Sequence, residues 1–117
     1  MKVRQRVRSA AEQQGLKLVD QTKIITAASE LARNTVIYGG GGTVLLEAVE
    51  DGARRGVRLT FDDNGPGIAN IDLAMKDGYT TGGGLGMGLS GSKRLCNEFE
   101  IRSEPGQGTH VSVIRWR

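Results

Sequence analysis

The sequence predicts an α+β two-layer sandwich, a mostly antiparallel sheet with helices on one face. Three observations predict it. Residues 3–14 and 24–36 carry apolar side chains at helical spacing. Four later segments read as strands, and they come in two hairpin-like pairs. A third helical stripe, Leu85, Leu89, Ser92, Leu95 and Cys96, lies between those pairs. Neighbouring strands joined by tight turns pair antiparallel, and amphipathic helices must cover one face of the resulting sheet.

Val3, Val7, Ala10, Ala11 and Gln14 define the first helix, with Arg4, Arg6 and Arg8 outside and Gly15 as a stop. Residues 16–19 link onward, and Asp20 is the expected N-cap of the second helix. That helix buries Ile24, Ile25, Ala28, Leu31, Ala32, Thr35 and Val36, and Gly39 ends it as a C′ glycine. Residues 39–42 form a flexible connector. Residues 43–50 read as a strand, 51–56 as a hairpin loop, and 57–61 as the next strand. Residues 71–75 read as a short helix, and 77–84 as a mobile loop without periodicity. Strands at 98–103 and 109–116 flank a turn at 105–108. No repeat or linker interrupts residues 1–117, so one domain is expected.

With one cysteine, Cys96, neither a disulfide framework nor a Cys-based zinc site is possible within one chain. A reduced, cytoplasmic setting is expected. No apolar run has transmembrane length, and the first residues do not lead into a signal-peptide core. The net charge of +3 comes from scattered arginines, and aromatic residues are too few for base stacking. Neither nucleic acid nor a membrane is an expected partner.

Glycine is the anomaly. Gly82, Gly83, Gly84, Gly86, Gly88 and Gly91 surround a helix start, where free N–H groups and the helix dipole suit an anion. Residues 86–91 match G-x-G-x-x-G, but no strand runs into them and only a hairpin follows. A Walker A loop is excluded because Ser92 separates Gly91 from Lys93. A flexible loop without ligand stays open. Upstream, Asp63 stands at a strand end before Gly65, Pro66 and Gly67. Two glycines there let a ligand approach the backbone, although an Asn-Gly turn has the same look. Glu30 and Asn34 share a helix face opposite the apolar stripe. That face is either solvated or displayed into a cleft.

Together these pieces resemble a known family. Glu30-Leu31-Ala32-Arg33-Asn34 is similar to the E-x-x-x-N box of the GHKL ATPase superfamily. Asp63-Asn64-Gly65-Pro66-Gly67 matches its D-x-G-x-G box, and Gly84-Leu85-Gly86-Met87-Gly88 its G-x-G-x-G box. Gly108-Thr109 resembles the late Gly-Thr element, and the four pieces keep the family's order. Residues 18–24, 27–35 and 38–41 bear a narrower resemblance to serine/threonine kinases related to anti-sigma factors, the RsbT-like switch kinases of the stressosome. The family's fold is the Bergerat ATP-binding fold. It usually begins with a strand, whereas this chain opens in the first helix, so a missing strand and an open sheet edge are expected.

The resemblance implies ATP and Mg²⁺ as cofactors. It makes Asp63 the acceptor for the adenine amino group, with Thr109 assisting and Gly65 and Gly67 giving room. It places the phosphates at Gly84, Gly86, Met87 and Gly88, with Thr80 and Thr81 in a closing loop. It gives Mg²⁺ to Asn34 and the general base to Glu30. The implied partner is a STAS-domain protein, phosphorylated on serine or threonine in a partner switch, with a downstream phosphatase or sigma-factor regulator beyond it. Two other readings remain open: a nucleotide-gated, anti-sigma-like binding module and a histidine-kinase catalytic domain. Arg33 is expected in a surface ion pair. Tyr38, Cys96 and Trp116 are expected in packing, and His110 in a structural strand position.

Overall fold

A computed structural model describes residues 2–37, 39–68, 75 and 88–117. The elements are α1 (Lys2–Gln13), α2 (Leu18–Ile37), β1 (Gly42–Asp51), β2 (Arg54–Asp63), α3 (Gly88–Leu95), β3 (Glu98–Ser103) and β4 (Thr109–Trp116). The expectations for residues 71–74 and 77–84 lie outside the described residues.

In α1, Val7 and Ala11 are buried while Arg4, Arg6 and Arg8 are exposed. Gly15 ends the helix at φ 79°. The Leu16 N–H bonds to the Ala11 carbonyl and the Gly15 N–H to that of Glu12, each at 3.0 Å. This is the Schellman arrangement, and its usual apolar contact is supplied by Leu16 and Ala11 in the core. Gln14 is buried beyond it. Its Nε2 donates to the carbonyls of Val49 and Gly56, and its Oε1 accepts from Arg55. One amide thus ties α1 to both strands of the first hairpin.

Helix α2 differs from expectation at both ends. It starts at Leu18, before Asp20, and the Lys17 carbonyl accepts the Gln21 N–H. Asp20 is therefore not the cap. Its Oδ1 accepts from Arg115 Nε at 3.0 Å and Nη2 at 2.5 Å. Tertiary pairing won because Arg115 lies on the helix-facing side of β4, and a first-turn carboxylate still suits the helix dipole. At the other end the apolar stripe stops early. Ile24, Ile25, Ala27, Ala28 and Leu31 are buried, but Val36 is 66% exposed. The last turn runs toward the polar end of β2, where Gly39 abuts Asp63, so apolar cover ends there. Gly39 does not take the left-handed φ; Gly40 (73°) and Gly41 (107°) do.

The first hairpin is tighter than expected. Pairing runs from Gly42 opposite Asp63 to Asp51 opposite Arg54, which leaves Gly52 and Ala53 as the loop. Gly52 supplies the positive φ, 63°, that a two-residue loop requires. The four strands are ordered β1-β2-β4-β3, each pair antiparallel. Val57, Leu59 and Phe61 of β2 and Val111 and Val113 of β4 form the sheet's share of the core. Burying each such side chain stabilises the fold by about 1.5–3 kcal/mol. The other sheet face carries charged pairs among apolar residues such as the exposed Leu45. Arg58 makes paired bonds to Glu47 at 2.9 and 3.1 Å. These bonds hold the Glu47 carboxyl below its ordinary range. His110 meets Asp62 at 2.6 Å, and Trp116 Nε1 donates to Glu98. The fold is thus α+β, with the helices on one face of an antiparallel sheet.

The Asp20–Arg115 pair yields a stability test. The two side chains are 19% and 16% exposed, so Asp20→Ala leaves a mostly buried guanidinium without its anion. The expected loss is about 3 kcal/mol, read as a lower urea midpoint. Adding Arg115→Met should recover most of it. Equal midpoints for wild type and Asp20→Ala would show that the pair contributes nothing.

Candidate functional site

Side chains alternate along β2, so Asp63 faces the helices on the same side as Leu59 and Phe61. It ends the strand, half-buried, beside the end of α2. Its Oδ1 accepts the Gly65 N–H at 2.9 Å and the Thr109 N–H at 3.2 Å. One oxygen therefore holds its own loop and the first residue of β4. Among the described residues Oδ2 has no hydrogen bond, and it lies beside Gly39. A Cβ at Gly39 would overlap the Asp63 carboxylate, and one at Gly65 would come within 2.7 Å of the Gly39 Cα. Glycine at both positions lets the end of α2 and the loop after β2 close on that carboxylate.

A second knot supports the first. Ser103 Oγ donates to the Gly108 carbonyl at 2.8 Å and accepts the Ile68 N–H at 2.8 Å. It also meets Thr109 Oγ1 at 2.9 Å. Ser103 has a single proton, already given to Gly108, so Thr109 is the donor in that contact. The Thr109 hydroxyl keeps lone pairs for a further donor. Gly67, at φ 76°, packs so closely that a Cβ would overlap the Glu104 carbonyl. Sequence reasoning named Asp63, Gly65, Gly67 and Thr109, but it missed Ser103, which lies in none of the boxes. The available signal was a small hydroxyl residue ending a strand whose partner begins with Thr109. It also assigned Gly39 to helix stopping, whereas its role is clearance for Asp63.

Glu30 and Asn34 stand one turn apart on α2, both half-buried. The Asn34 carbonyl accepts the Gly39 N–H at 3.3 Å, so Asn34 adjoins the turn that touches Asp63. Glu30 is 27% exposed, with Arg33 3.7 Å away, which is the surface pair expected of Arg33. Gly88 is the first residue of α3. Thr80, Thr81, Gly84, Gly86 and Met87 lie outside the described residues. Cys96 packs against the core, where burial pushes its thiol up to about 12.

Residues 19–117 match the family described as histidine kinase-, DNA gyrase B-, and HSP90-like ATPase. The chain belongs to that ATPase family. It is 46% identical over 113 residues to the serine/threonine-protein kinase RsbT of Bacillus subtilis (strain 168), covering 97% of this chain and 85% of that one. It is 36% identical over 100 residues to an anti-sigma F factor of Clostridium kluyveri, covering 80% of this chain and 69% of that one. The mycobacterial sensor histidine kinase MprB shares the fold, with a TM-score of 0.63 at 18% identity over 82% of this chain and 71% of that one. Within the ATPase family, the chain is closely related to the RsbT-like switch kinases.

The knot around Asp63 generates its own prediction. Asp63→Ala removes the acceptor of two backbone N–H groups, at a cost of about 1–3 kcal/mol. Amide exchange at Gly65 and Thr109 should quicken more than at Leu59 or Val113 in mid-strand. Uniform change across the sheet would show that Asp63 does not anchor these two loops.

Proposed function

We propose that this chain phosphorylates a serine or threonine hydroxyl of a STAS-domain partner in a stressosome-type switch, using one ATP-binding domain over residues 1–117. The carrying observation is the 46% identity to a serine/threonine-protein kinase across 97% of the chain. The chain is an ATP-dependent protein serine/threonine kinase. The geometry supports a nucleotide at the Asp63 end. An acceptor-only carboxylate, one of whose oxygens has no hydrogen bond among the described residues, suits the donor-bearing amino group of adenine, and Gly39 and Gly65 bring no side chains beside it. Thr109 offers lone pairs next to it, while the expected room at Gly65 and Gly67 is taken up by the backbone of Gly39 and Glu104.

In this reading Thr80, Thr81, Gly84, Gly86, Met87 and Gly88 hold the phosphates, as the family motif implies. Mg²⁺, when bound, offsets the charge that develops on the transferring phosphoryl group. An amide oxygen is a suitable ligand for so hard a cation, and Asn34 supplies one. Glu30, a turn away, accepts the proton of the attacking hydroxyl. A new O–P bond forms to the partner, and the bond from the β–γ bridging oxygen to the γ-phosphorus breaks. A cytoplasmic setting belongs to this reading, and no described helix is long and apolar enough to cross a membrane. Neither nucleic acid nor a membrane surface enters it. A downstream phosphatase or sigma-factor regulator completes the switch.

The 36% identity to an anti-sigma F factor favours a second reading, a nucleotide-gated module that captures a sigma factor. One pair of variants separates the two. Glu30→Gln keeps the side chain's size but removes the base. It should lower phosphate transfer to a STAS domain by about 10²–10⁴ and leave Mg-ATP affinity nearly intact. Asn34→Ala should weaken Mg-ATP binding itself. Full transfer by Glu30→Gln, measured by mass spectrometry of the STAS domain, would remove Glu30 as the base. Partner capture by a wild type that transfers no phosphate would favour the binding module.

A further inference from the structure

Three polar side chains stand in one row across the end of the sheet. Asp63 of β2 is opposite Thr109 of β4, and Thr109 is opposite Ser103 of β3. Directly opposed residues share a face, so all three lie on the helix-facing side, and each is half-buried. The protons of this row can be counted. Ser103 has one, and the Gly108 carbonyl, which can only accept, takes it at 2.8 Å. The Ile68 N–H and the Thr109 hydroxyl then occupy both lone pairs of Ser103 Oγ, at 2.8 and 2.9 Å. The Thr109 proton is therefore committed to Ser103, and among the described residues nothing donates to Thr109 Oγ1. Asp63 Oδ2 likewise has no hydrogen bond among them, since Oδ1 takes both N–H groups. The row thus presents two acceptors and no donor, on side chains whose Cβ atoms stand about 4.5–5.5 Å apart.

We propose that Ser103 is a positioning residue that holds the Thr109 hydroxyl as an acceptor, and that it thereby makes the site select adenine over the oxo-purine hypoxanthine. This rests on the reading that the base of ATP lies against Asp63. The adenine amino group carries two N–H donors and meets two acceptors. The hypoxanthine oxygen would set a third acceptor against them, with no proton to share. A site built to accept from an N–H group rejects the analogue lacking it, because its oxygens are left unpaired. The Asp63 carboxylate cannot change its role while it is charged. A threonine hydroxyl can, by turning its proton toward the wrong base. Ser103 removes that freedom, and its own hydroxyl is held by Gly108 and Ile68 before any ligand arrives.

The test compares ATP with inosine triphosphate, in which an oxygen replaces the amino group. Titration calorimetry at constant magnesium should show that the wild type prefers ATP. Ser103→Ala releases the Thr109 proton, so the preference should narrow by about tenfold, the worth of one hydrogen bond. A general loosening of the two loops would instead lower both affinities alike and leave their ratio unchanged. Thr109→Val removes the hydroxyl but leaves Ser103 with Gly108 and Ile68, and it should narrow the preference as well. Adding Ser103→Ala to Thr109→Val should change the ratio no further. An unchanged ratio in either single variant, or a further change in the double variant, would overturn the assignment. A wild type that binds both nucleotides equally would overturn it too, with the ATP reading left standing. A wild type that binds neither removes the ATP reading, and this inference with it.

Discussion

The carboxylate of Asp63 is the constraint on which this end of the molecule depends. Its Oδ1 takes an N–H from its own loop and another from Thr109, a residue far along the chain. Two donors on one oxygen are best met by a charged group that only accepts. Around that point there is no room for side chains. A Cβ at Gly108 would overlap the Asp63 carbonyl, and one at Gly39 would overlap the carboxylate. The anchor, its clearance and the Ser103 knot form one unit, in which displacing any part exposes backbone groups of two loops.

Helix α2 transmits the order of the core to that unit. Leu31 is 1% exposed, and its place in the core sets the rotation of the helix. Glu30 and Asn34 are therefore aimed by residues that take no part in chemistry. Asp20 and Arg115 fix the other end of the same helix to β4, the strand that begins at Thr109. The core and the site thus share two elements, α2 and β4, clamped at opposite ends.

The layering of the fold was legible because it follows from local pattern. β3 and β4 are read to the residue, since alternation and turn glycines act within a few positions. What could not be read depended on distant partners. Asp20 has the chemistry of a cap, yet Arg115 claims it from the far end of the chain. Val36 continues a helical stripe, but nothing apolar stands opposite it. Of the candidate site, Asp63, Gly65 and Gly67 stood out as a carboxylate at a strand end before two glycines, whereas Thr109 was named only through the resemblance to the family. Ser103 and the clearance at Gly39 were not legible, because both exist only once β2, β4 and α2 have met.

The strand order has a consequence for how the chain acquires its site. β1 with β2, and β3 with β4, are hairpins whose partners are close in sequence. The β2–β4 pairing joins Asp63 to Thr109 and Gly56 to Trp116 across long separations. Loop-closure entropy makes such distant pairing slow relative to hairpin formation. The Asp63 knot lies on this late seam, so either hairpin alone contains no anchored carboxylate. The two hydrogen bonds that hold the Asp63 carboxylate to Gly65 and Thr109 are therefore completed only once this distant seam has closed.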